Sequence, residues 1–168
     1  MNKTLSRIGR GVVTAVIFAS LYEVTAAIEK RAMPAFTVTR LDGALVDSRQ
    51  LTAETQYVLL YVTPDCRPCD RLLALIRSAN SPQFTSRVVV IVSGETTAGA
   101  GYVSRQIPAE AGPLTWYADT DGGGYRALRL TGIPVLVGVK DGHMMWSVAG
   151  VLNDAATVES VVRTWVTY

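Results

Sequence analysis

The chain has two cysteines, Cys66 and Cys69, and they lie three residues apart in the stretch YVTPDCRPCDRL. A disulfide that staples a fold stabilises it mainly by closing a long loop in the unfolded chain, because the entropy removed grows with loop length. The two residues between these cysteines, Arg67 and Pro68, form a loop too short for that effect. The spacing therefore indicates a reactive thiol pair, with an inert buried pair or half of a metal site as the alternatives.

The composition is that of one globular domain with an additional apolar segment. The chain has 168 residues, of which 49% are hydrophobic and 18% are charged, which is enough for a single domain with a sizeable core. A net charge of +2 without a run of Lys or Arg argues against nucleic acid as a partner. Two cysteines and one histidine are too few for a structural zinc site with four Cys or His ligands. We therefore expect no metal and no other cofactor.

The apolar segment lies near the N-terminus. Residues 1–10 carry three cations and no acid, and residues 11–28 are apolar except for small hydroxyls, one tyrosine and Glu23. At 1.5 Å per residue, a helix over 11–28 would be about 27 Å long, just short of a typical bilayer core. The basic tail in front of it predicts a cytoplasmic N-terminus and an exported remainder.

Three interpretations of this apolar segment remain open. It is a transmembrane anchor, or a signal peptide removed after small residues such as Ala26 or Ala27, or a helix of the domain itself. The first two place the rest of the chain outside the cytoplasm. The predicted organisation is a basic cytoplasmic tail over 1–10, an anchor or signal peptide over 11–28, a linker over 29–33 and one domain over 34–168.

Strands and helices alternate along this domain. The apolar, β-rich run Gln56–Thr63 predicts a strand buried on both faces, and the spacing of leucines after it predicts a helix over Cys69–Ala79. The other predicted elements are a hairpin around Asp42-Gly43, a strand over Arg87–Gly94, a weakly helical segment from Glu95, a strand over Leu114–Asp119, a glycine-rich turn with a short helix, a hairpin turning at Lys140-Asp141-Gly142, and a terminal helix capped by Asn153 or Asp154. This order indicates an α/β fold with a mixed sheet covered by helices on both faces.

These elements place the cysteines in a setting that resembles a known superfamily. A buried strand leads into Cys-X-Pro-Cys at the start of a helix, and TGIPVL follows around Pro134, which resembles thioredoxins. The opening PAFTVTRLDGALVDS and the insertion YADTDGGGYRALRLTGIP are similar to the TlpA/ResA branch, whose members are exported, often membrane-anchored thiol-disulfide proteins. The resemblance covers roughly residues 34–166. It implies a thioredoxin-like mixed sheet with an N-terminal hairpin and an insertion before the strand that begins at Pro134.

Within such a fold we expect the two cysteines to have different roles. Cys66 is expected to be the nucleophile, because the positive end of the helix dipole and unpaired N–H groups stabilise a thiolate there. Cys69 is expected to be the resolving thiol, which releases the partner from a mixed disulfide. Arg67 adds a nearby positive charge, and Pro68 fits the first helical turn, where its missing N–H is not needed.

A second group of residues is expected to bind the substrate. The resemblance implies that Pro134 is cis and faces the cysteines, with a trans proline at a strand start as the alternative. Its neighbour Ile133 would then offer backbone groups to a substrate strand, and Gly150 would let that strand approach closely. The GHMM stretch offers soft ligands for copper, but the strand leading to His143 runs away from Pro134 for about 20 Å at 3.3 Å per residue. We therefore expect His143 at the far end of the sheet, as an exposed turn residue.

Two positions depart from the pattern of the superfamily. Thioredoxin has a buried acid in the strand before its motif, where this chain has Leu60, and ResA-like proteins have an acid after the second cysteine, where it has Leu72. Such an acid takes the proton of the resolving thiol, so its loss predicts slower release of the partner. Asp70 and Glu95 are the candidate substitutes, each with a solvent-exposed role as the alternative.

The predicted function is disulfide exchange with exported partner proteins through the CRPC motif, at the outer face of a bacterial cytoplasmic membrane. By resemblance, this serves the maturation of a redox protein, such as a cytochrome c, a copper-site protein or an amine dehydrogenase subunit; methylamine-utilisation accessory thioredoxins are similar. The expected partners are an exported client with a disulfide or dithiol and a membrane or periplasmic protein that exchanges electrons with the pair. The direction stays open, because the oxidising periplasm would require an electron donor for a reductant. The alternative function is a redox-poor docking or assembly subunit of a membrane complex.

Overall fold

The computed structural model describes residues 26–27, 30–78, 86–106, 114–150 and 155–167. The basic tail and most of the apolar N-terminal segment lie outside these residues. The described strands are β1 Ala26–Ala27, β2 Arg31–Ala32, β3 Thr37–Thr39, β4 Leu45–Asp47, β5 Gln56–Val62, β6 Val88–Ser93, β7 Thr115–Asp119, β8 Val135–Lys140 and β9 His143–Ala149. The described α-helices are α1 Arg67–Ser78, α2 Thr96–Gln106, α3 Gly123–Leu128 and α4 Ala155–Thr167.

These strands form one mixed sheet in the order β1-β9-β8-β5-β6-β7-β3-β4, and β2 also pairs with β9. The central strand β5 is parallel to β6 and antiparallel to β8, so that Tyr61 pairs with Ile91 on one side and Val135 on the other. Every residue of β5 after Gln56 is buried. The prediction of a strand buried on both faces is confirmed, because hydrogen bonds cover both of its edges and side chains cover both of its faces.

Alternate residues of β5 contribute to two separate cores. Leu60 and Val62 pack with Cys69, on the face covered by α1, α2 and α4, and we call this the cysteine-side core. Leu59 and Tyr61 pack on the other face, in a core that includes residues of β3, β4 and α3, and we call this the tyrosine-side core. The fold is therefore a mixed α/β sheet with both faces covered, as predicted.

The N-terminal hairpin is also present. β3 and β4 pair from Thr37 opposite Asp47 to Thr39 opposite Leu45. The turn at its tip includes Gly43 with φ of +84°, a conformation that glycine adopts without steric cost. Because Thr39 also pairs with Ala118 of β7, the hairpin extends the central sheet.

The segment predicted as a linker packs against β9. β2 pairs with β9 antiparallel, and the Met33 N–H donates to the Gly142 carbonyl at 2.8 Å. The Met33 side chain is buried in the tyrosine-side core. β1, which contains residues from the end of the apolar N-terminal segment, also pairs with β9. In the described ranges, no helix has both the length and the apolar character needed to cross a membrane.

Candidate active site

The turn after β5 places Cys66 at the start of α1. Asp65 has φ of +60°, a left-handed conformation that Asp adopts more readily than most residues. The Asp70 N–H donates to the Cys66 carbonyl at 3.1 Å, which makes Cys66 the N-cap of the helix. The helix therefore begins at Arg67, two residues before its predicted start, and the expected passage from a buried strand to a helix at the first cysteine is confirmed.

Cys66 and Cys69 form a disulfide, with an Sγ–Sγ distance of 2.10 Å and a Cα–Cα distance of 5.2 Å. The two sulfurs differ in their surroundings. Cys69 is 0% exposed in the cysteine-side core, whereas Cys66 is partly exposed. The Cys69 backbone N–H donates to the Cys66 Sγ at 3.2 Å. Of the two residues Cys66 is therefore the more exposed, and a backbone donor points at its sulfur.

The residues between the cysteines occupy the first turn of α1. Arg67 is exposed beside Cys66, and Pro68 is partly exposed. The first four N–H groups of a helix have no partner within the helix, so the missing N–H of Pro68 costs no hydrogen bond. Both residues are therefore compatible with the first turn of the helix.

The peptide bond between Ile133 and Pro134 is cis. Val135, the next residue, pairs with Tyr61 near the end of β5, so this bond lies at the same end of the sheet as the cysteines. Ile133 is partly buried and packs against the cysteine-side core, as Cys66 does. The Gly150 N–H, on a residue with φ of +91°, donates to the Pro134 carbonyl at 2.9 Å. The three residues predicted to bind substrate are therefore close together.

The surroundings of Cys69 are apolar. Leu60 is 0% exposed and Leu72 is 6% exposed, and both belong to the cysteine-side core with Cys69. Of the two candidate acids, Asp70 accepts a hydrogen bond from the Tyr102 hydroxyl at 3.0 Å, and Glu95 is exposed. Burial, followed by this hydrogen bond, raises the pKa of Tyr102 well above its usual range. Asp70 is therefore bonded to Tyr102, which itself belongs to the cysteine-side core.

A buried acid that the sequence analysis missed is Asp119, which is 1% exposed at the end of β7. Its Oδ2 accepts hydrogen bonds from the Tyr61 hydroxyl at 2.6 Å and from the Tyr125 N–H at 3.0 Å. Burial, and then the contact with Asp119, raises the pKa of Tyr61 well above its usual range. Tyr61 belongs to the tyrosine-side core, so Asp119 is on the face of the sheet away from Cys69. The only feature of the sequence that indicates this buried acid is its position at the end of an apolar strand.

The described residues contain no group of three or more His, Cys, Asp or Glu side chains that could hold a metal ion. His143 begins β9 and pairs with Lys140, which in turn pairs with Gln56 at the start of β5. It therefore lies at the end of the sheet opposite the cysteines, as the strand direction predicted. It is partly buried rather than fully exposed, and its Nδ1 is 2.8 Å from the Asp141 carbonyl.

Several solved structures that this chain resembles are described as thiol-disulfide proteins. A secreted disulfide oxidoreductase of Mycobacterium tuberculosis, described as homologous to E. coli DsbE, is 23% identical; the match covers 77% of this chain and 95% of that one, with a TM-score of 0.59. DsbF of the same organism is 19% identical, with coverages of 82% and 99% and a TM-score of 0.62. A putative thiol:disulfide interchange protein DsbE of Chlorobium tepidum is 18% identical, with coverages of 83% and 99% and a TM-score of 0.64.

No protein-family model and no curated protein sequence matches the chain. The likeness to the solved structures therefore establishes the fold, which is that of the thioredoxin-like thiol:disulfide oxidoreductases. The Cys66–Cys69 disulfide lies in that fold where β5 passes into α1.

Proposed function

We propose, from this thioredoxin-like fold and the asymmetry of its cysteine pair, that the protein is a thiol:disulfide oxidoreductase acting on exported partner proteins. The single observation that carries the proposal is the difference between a partly exposed Cys66, whose sulfur accepts a backbone hydrogen bond, and a fully buried Cys69. A nucleophile has to be reachable by a partner disulfide, whereas a resolving thiol has to be protected from it. The pair has both properties.

In the reducing direction, the reaction begins with the Cys66 thiolate. The N-terminal end of α1 and the exposed guanidinium of Arg67 favour the thiolate electrostatically. It attacks one sulfur of the client disulfide, so that a mixed disulfide forms and the second client sulfur leaves as a thiolate. The Cys69 thiolate then attacks the Cys66 Sγ, which re-forms the Cys66–Cys69 disulfide and releases the client as a dithiol. Two electrons pass to the client, and a dithiol partner must reduce the pair again.

The client segment is proposed to lie beside the cis bond. Ile133 and Pro134 are at the cysteine end of the sheet, and Gly150 has no side chain there. A Cβ at Gly150 would meet no heavy atom within 4 Å, so open space remains above this residue for an extended chain. Backbone groups of Ile133 would bind that chain as an added strand.

Among the described residues, Leu60 and Leu72 pack with Cys69 at the two positions where the superfamily has an acid, which predicts a slow resolving step. A buried thiol in apolar surroundings ionises with difficulty, because burial disfavours the charged form. The mixed disulfide on Cys66 is therefore expected to persist. This expectation also gives the second candidate function its support: Leu60 and Leu72 would suit a docking or assembly subunit that keeps the fold and turns over poorly.

The proposed setting is the outer face of a bacterial cytoplasmic membrane. The basic residues 1–10 and the apolar residues 11–28 support an uncleaved anchor with the domain outside the cytoplasm. In that compartment the clients would be exported redox proteins during maturation, and an electron-exchange partner would set the state of the pair. N-terminal sequencing of the protein from washed membranes tests the anchor, since a signal peptide would be missing from the mature chain.

Turnover of a disulfide substrate such as insulin tests the enzymatic role, with dithiothreitol as reductant and Cys66→Ser as the control. Wild-type protein is expected to accelerate reduction and the variant is not. Equal rates for the two would exclude the enzyme and favour the docking subunit. Cys69→Ser, which retains the nucleophile, is expected to accumulate a mixed disulfide with the client when no dithiothreitol is present to reduce it. A reduction potential near that of thioredoxin, about −270 mV, would indicate a reductant, and one near that of DsbA, about −120 mV, an oxidant.

A further inference from the structure

A cavity lies where the loop between α3 and β8 meets the face of β8 and β9, at the edge of the tyrosine-side core. Its volume is about 310 Å³, within the range of about 300–1,000 Å³ that is usual for ligand pockets in proteins. Its apolar lining belongs to the tyrosine-side core or packs against it, and consists of Leu128, Leu130, Val135, Met144 and Ala149. The cavity can therefore bury apolar groups of a ligand.

Two arginines and no acid are among the described residues that line this cavity. Arg129 is exposed directly after α3, and the Arg31 guanidinium donates to the carbonyl of Leu128, the residue before Arg129. The described ion pairs of the chain involve neither guanidinium. A guanidinium has five N–H donors, so this one bond leaves Arg31 with further donors. The cavity, which we call the arginine cavity, therefore combines apolar walls with two positive charges.

Arg129 has a backbone conformation that arginine seldom adopts. Its φ is +56°, and its N–H donates to the Arg126 carbonyl at 3.0 Å at the end of α3. A helix that ends in this left-handed conformation most often has glycine there, because a Cβ is strained in that region. The helix end therefore does not explain why this residue is an arginine, whereas a role for its side chain in the cavity does.

The arginine cavity is continuous with the proposed client-binding site. Thr131, three residues before Pro134, lines the cavity, and so does Val135, the residue directly after the cis proline. Val135 pairs with Ala149, and the N–H of the next residue, Gly150, donates to the Pro134 carbonyl. A client segment that lies beside the cis bond therefore passes over the cavity.

We infer that the arginine cavity binds an acidic side chain of the client, three or four residues from the client cysteine that reacts with Cys66. The inference rests on the proposed function and specifies its substrates. Arg129 precedes Ile133 by four residues, at most about 13 Å at 3.3 Å per residue, and an extended client covers this distance in about four residues. The client carboxylate accepts hydrogen bonds from Arg129 and Arg31, which are strong because both partners are charged. Clients that are acidic near their cysteines are therefore preferred.

Rates of reduction of matched peptides test this preference. Two copies of a single-cysteine peptide are joined by a disulfide, with glutamates or glutamines at the third and fourth positions on both sides of the cysteine. The reduced full-length chain transfers two electrons from its cysteine pair and releases two peptide thiols, which are counted after acid quenching. Each rate is divided by the rate of dithiothreitol with the same peptide, which corrects for the reactivity of the peptide disulfide itself. The glutamate peptide is expected to react about three- to fivefold faster, and the difference should shrink between about 0.05 and 0.5 M NaCl.

Substitution of Arg129 separates a role in binding from a role in folding. Arg129→Gly removes the guanidinium and supplies the residue preferred at a left-handed helix end, so the urea midpoint is expected to stay or rise. The ratio of the two normalised rates is expected to fall towards one. Arg126→Gln is the matched control, because Arg126 is exposed one turn earlier, pairs with Asp121 and does not line the cavity. This control removes the same charge and is expected to keep the ratio.

A binding measurement keeps the inference separate from the redox chemistry. The anisotropy of fluorophore-labelled, cysteine-free peptides with the oxidised chain is expected to show several-fold tighter binding of the glutamate peptide, and Arg129→Gly is expected to abolish this difference. Three results would overturn the inference: equal rates and affinities for the two peptides, a preference that survives Arg129→Gly, or one that Arg126→Gln removes to the same extent. Failure of the proposed function is distinct, because the reduced wild-type chain would then reduce neither peptide, while the anisotropy would still decide whether the cavity selects acids.

Discussion

The hydrogen bond between Tyr61 and Asp119 predicts a large loss of stability on Tyr61→Phe. Asp119 is 1% exposed, and its Oδ2 accepts the Tyr61 hydroxyl at 2.6 Å and the Tyr125 N–H at 3.0 Å. Its Oδ1 has no hydrogen-bond partner in the described part of the chain. Removal of the hydroxyl therefore leaves a buried carboxylate with one N–H donor, and burying a poorly paired charge is costly.

The magnitude follows from the charge on the acceptor. A hydrogen bond to a charged group contributes about 1.5–3 kcal/mol, so we expect Tyr61→Phe to lower the free energy of unfolding by about 2–3 kcal/mol. Tyr117→Phe is the matched control, because Tyr117 is also buried and its hydroxyl donates to the neutral Leu51 carbonyl at 2.7 Å. A hydrogen bond between neutral groups contributes about 1 kcal/mol, which is the loss expected for the control.

Urea denaturation of the oxidised proteins measures both losses. With a slope of about 2 kcal/mol/M, the midpoint is expected to fall by about 1–1.5 M for Tyr61→Phe and by about 0.5 M for Tyr117→Phe. The slopes themselves should not change, since neither substitution alters the surface exposed on unfolding. A midpoint for Tyr61→Phe that equals or exceeds that of Tyr117→Phe would refute the reasoning, because the charged acceptor would then make no difference.

Three further predictions concern packing, backbone conformation and pH. A Cβ at Gly138 would overlap the Trp146 indole, so Gly138→Ala is expected to lower the free energy of unfolding by about 2–3 kcal/mol. The displaced indole should also disturb its edge-to-face contact with Trp165 and change the tryptophan fluorescence. Unchanged emission would contradict this. Gly150 has φ of +91° with open space around it, so Gly150→Ala should cost about 1–2 kcal/mol in urea denaturation from backbone strain alone, with unchanged fluorescence. Burial, aided by Tyr117, raises the pKa of Tyr57 from 10.0 to about 12. The folded state therefore binds this proton more tightly than the unfolded state does. Its contribution to the free energy of unfolding should be fully present below pH 10 and should be lost as the pH rises towards 12. Urea midpoints that rise over this interval would have the wrong sign.

The elements around the cysteines could be predicted because their signals are local. The β-rich run of β5 is broken by Pro64-Asp65, and the leucine spacing of α1 follows at once. The sequence predicts the start of α1 two residues too late, because the N-cap is Cys66 itself and cysteine is not among the preferred caps. The hairpin at Asp42-Gly43 could likewise be predicted, since its turn residues determine the register of its short strands.

The placements that sequence reasoning missed depend on contacts between distant residues. Tyr61 and Asp119 are 58 positions apart, and the burial of Asp119 follows from how β5, β6 and β7 align in the sheet. From the sequence alone, Asp119 is an ordinary polar residue at a strand end, and its burial is not predicted. The pairing of β1 and β2 with β9 is equally non-local, and two-residue strands have no periodicity to detect.

The alternation of side chains along β5 keeps the redox pair and the buried acid apart. Leu60 points to the core of Cys69, and the next residue, Tyr61, points to the core of Asp119. An acid that serves Cys69 would therefore have to replace Leu60 or come from a helix on that face, because the backbone of the sheet separates Asp119 from the thiol. With the apolar neighbours described around Cys69, we expect the rate of release to depend on the leaving thiol of the client, because a more acidic thiol leaves faster.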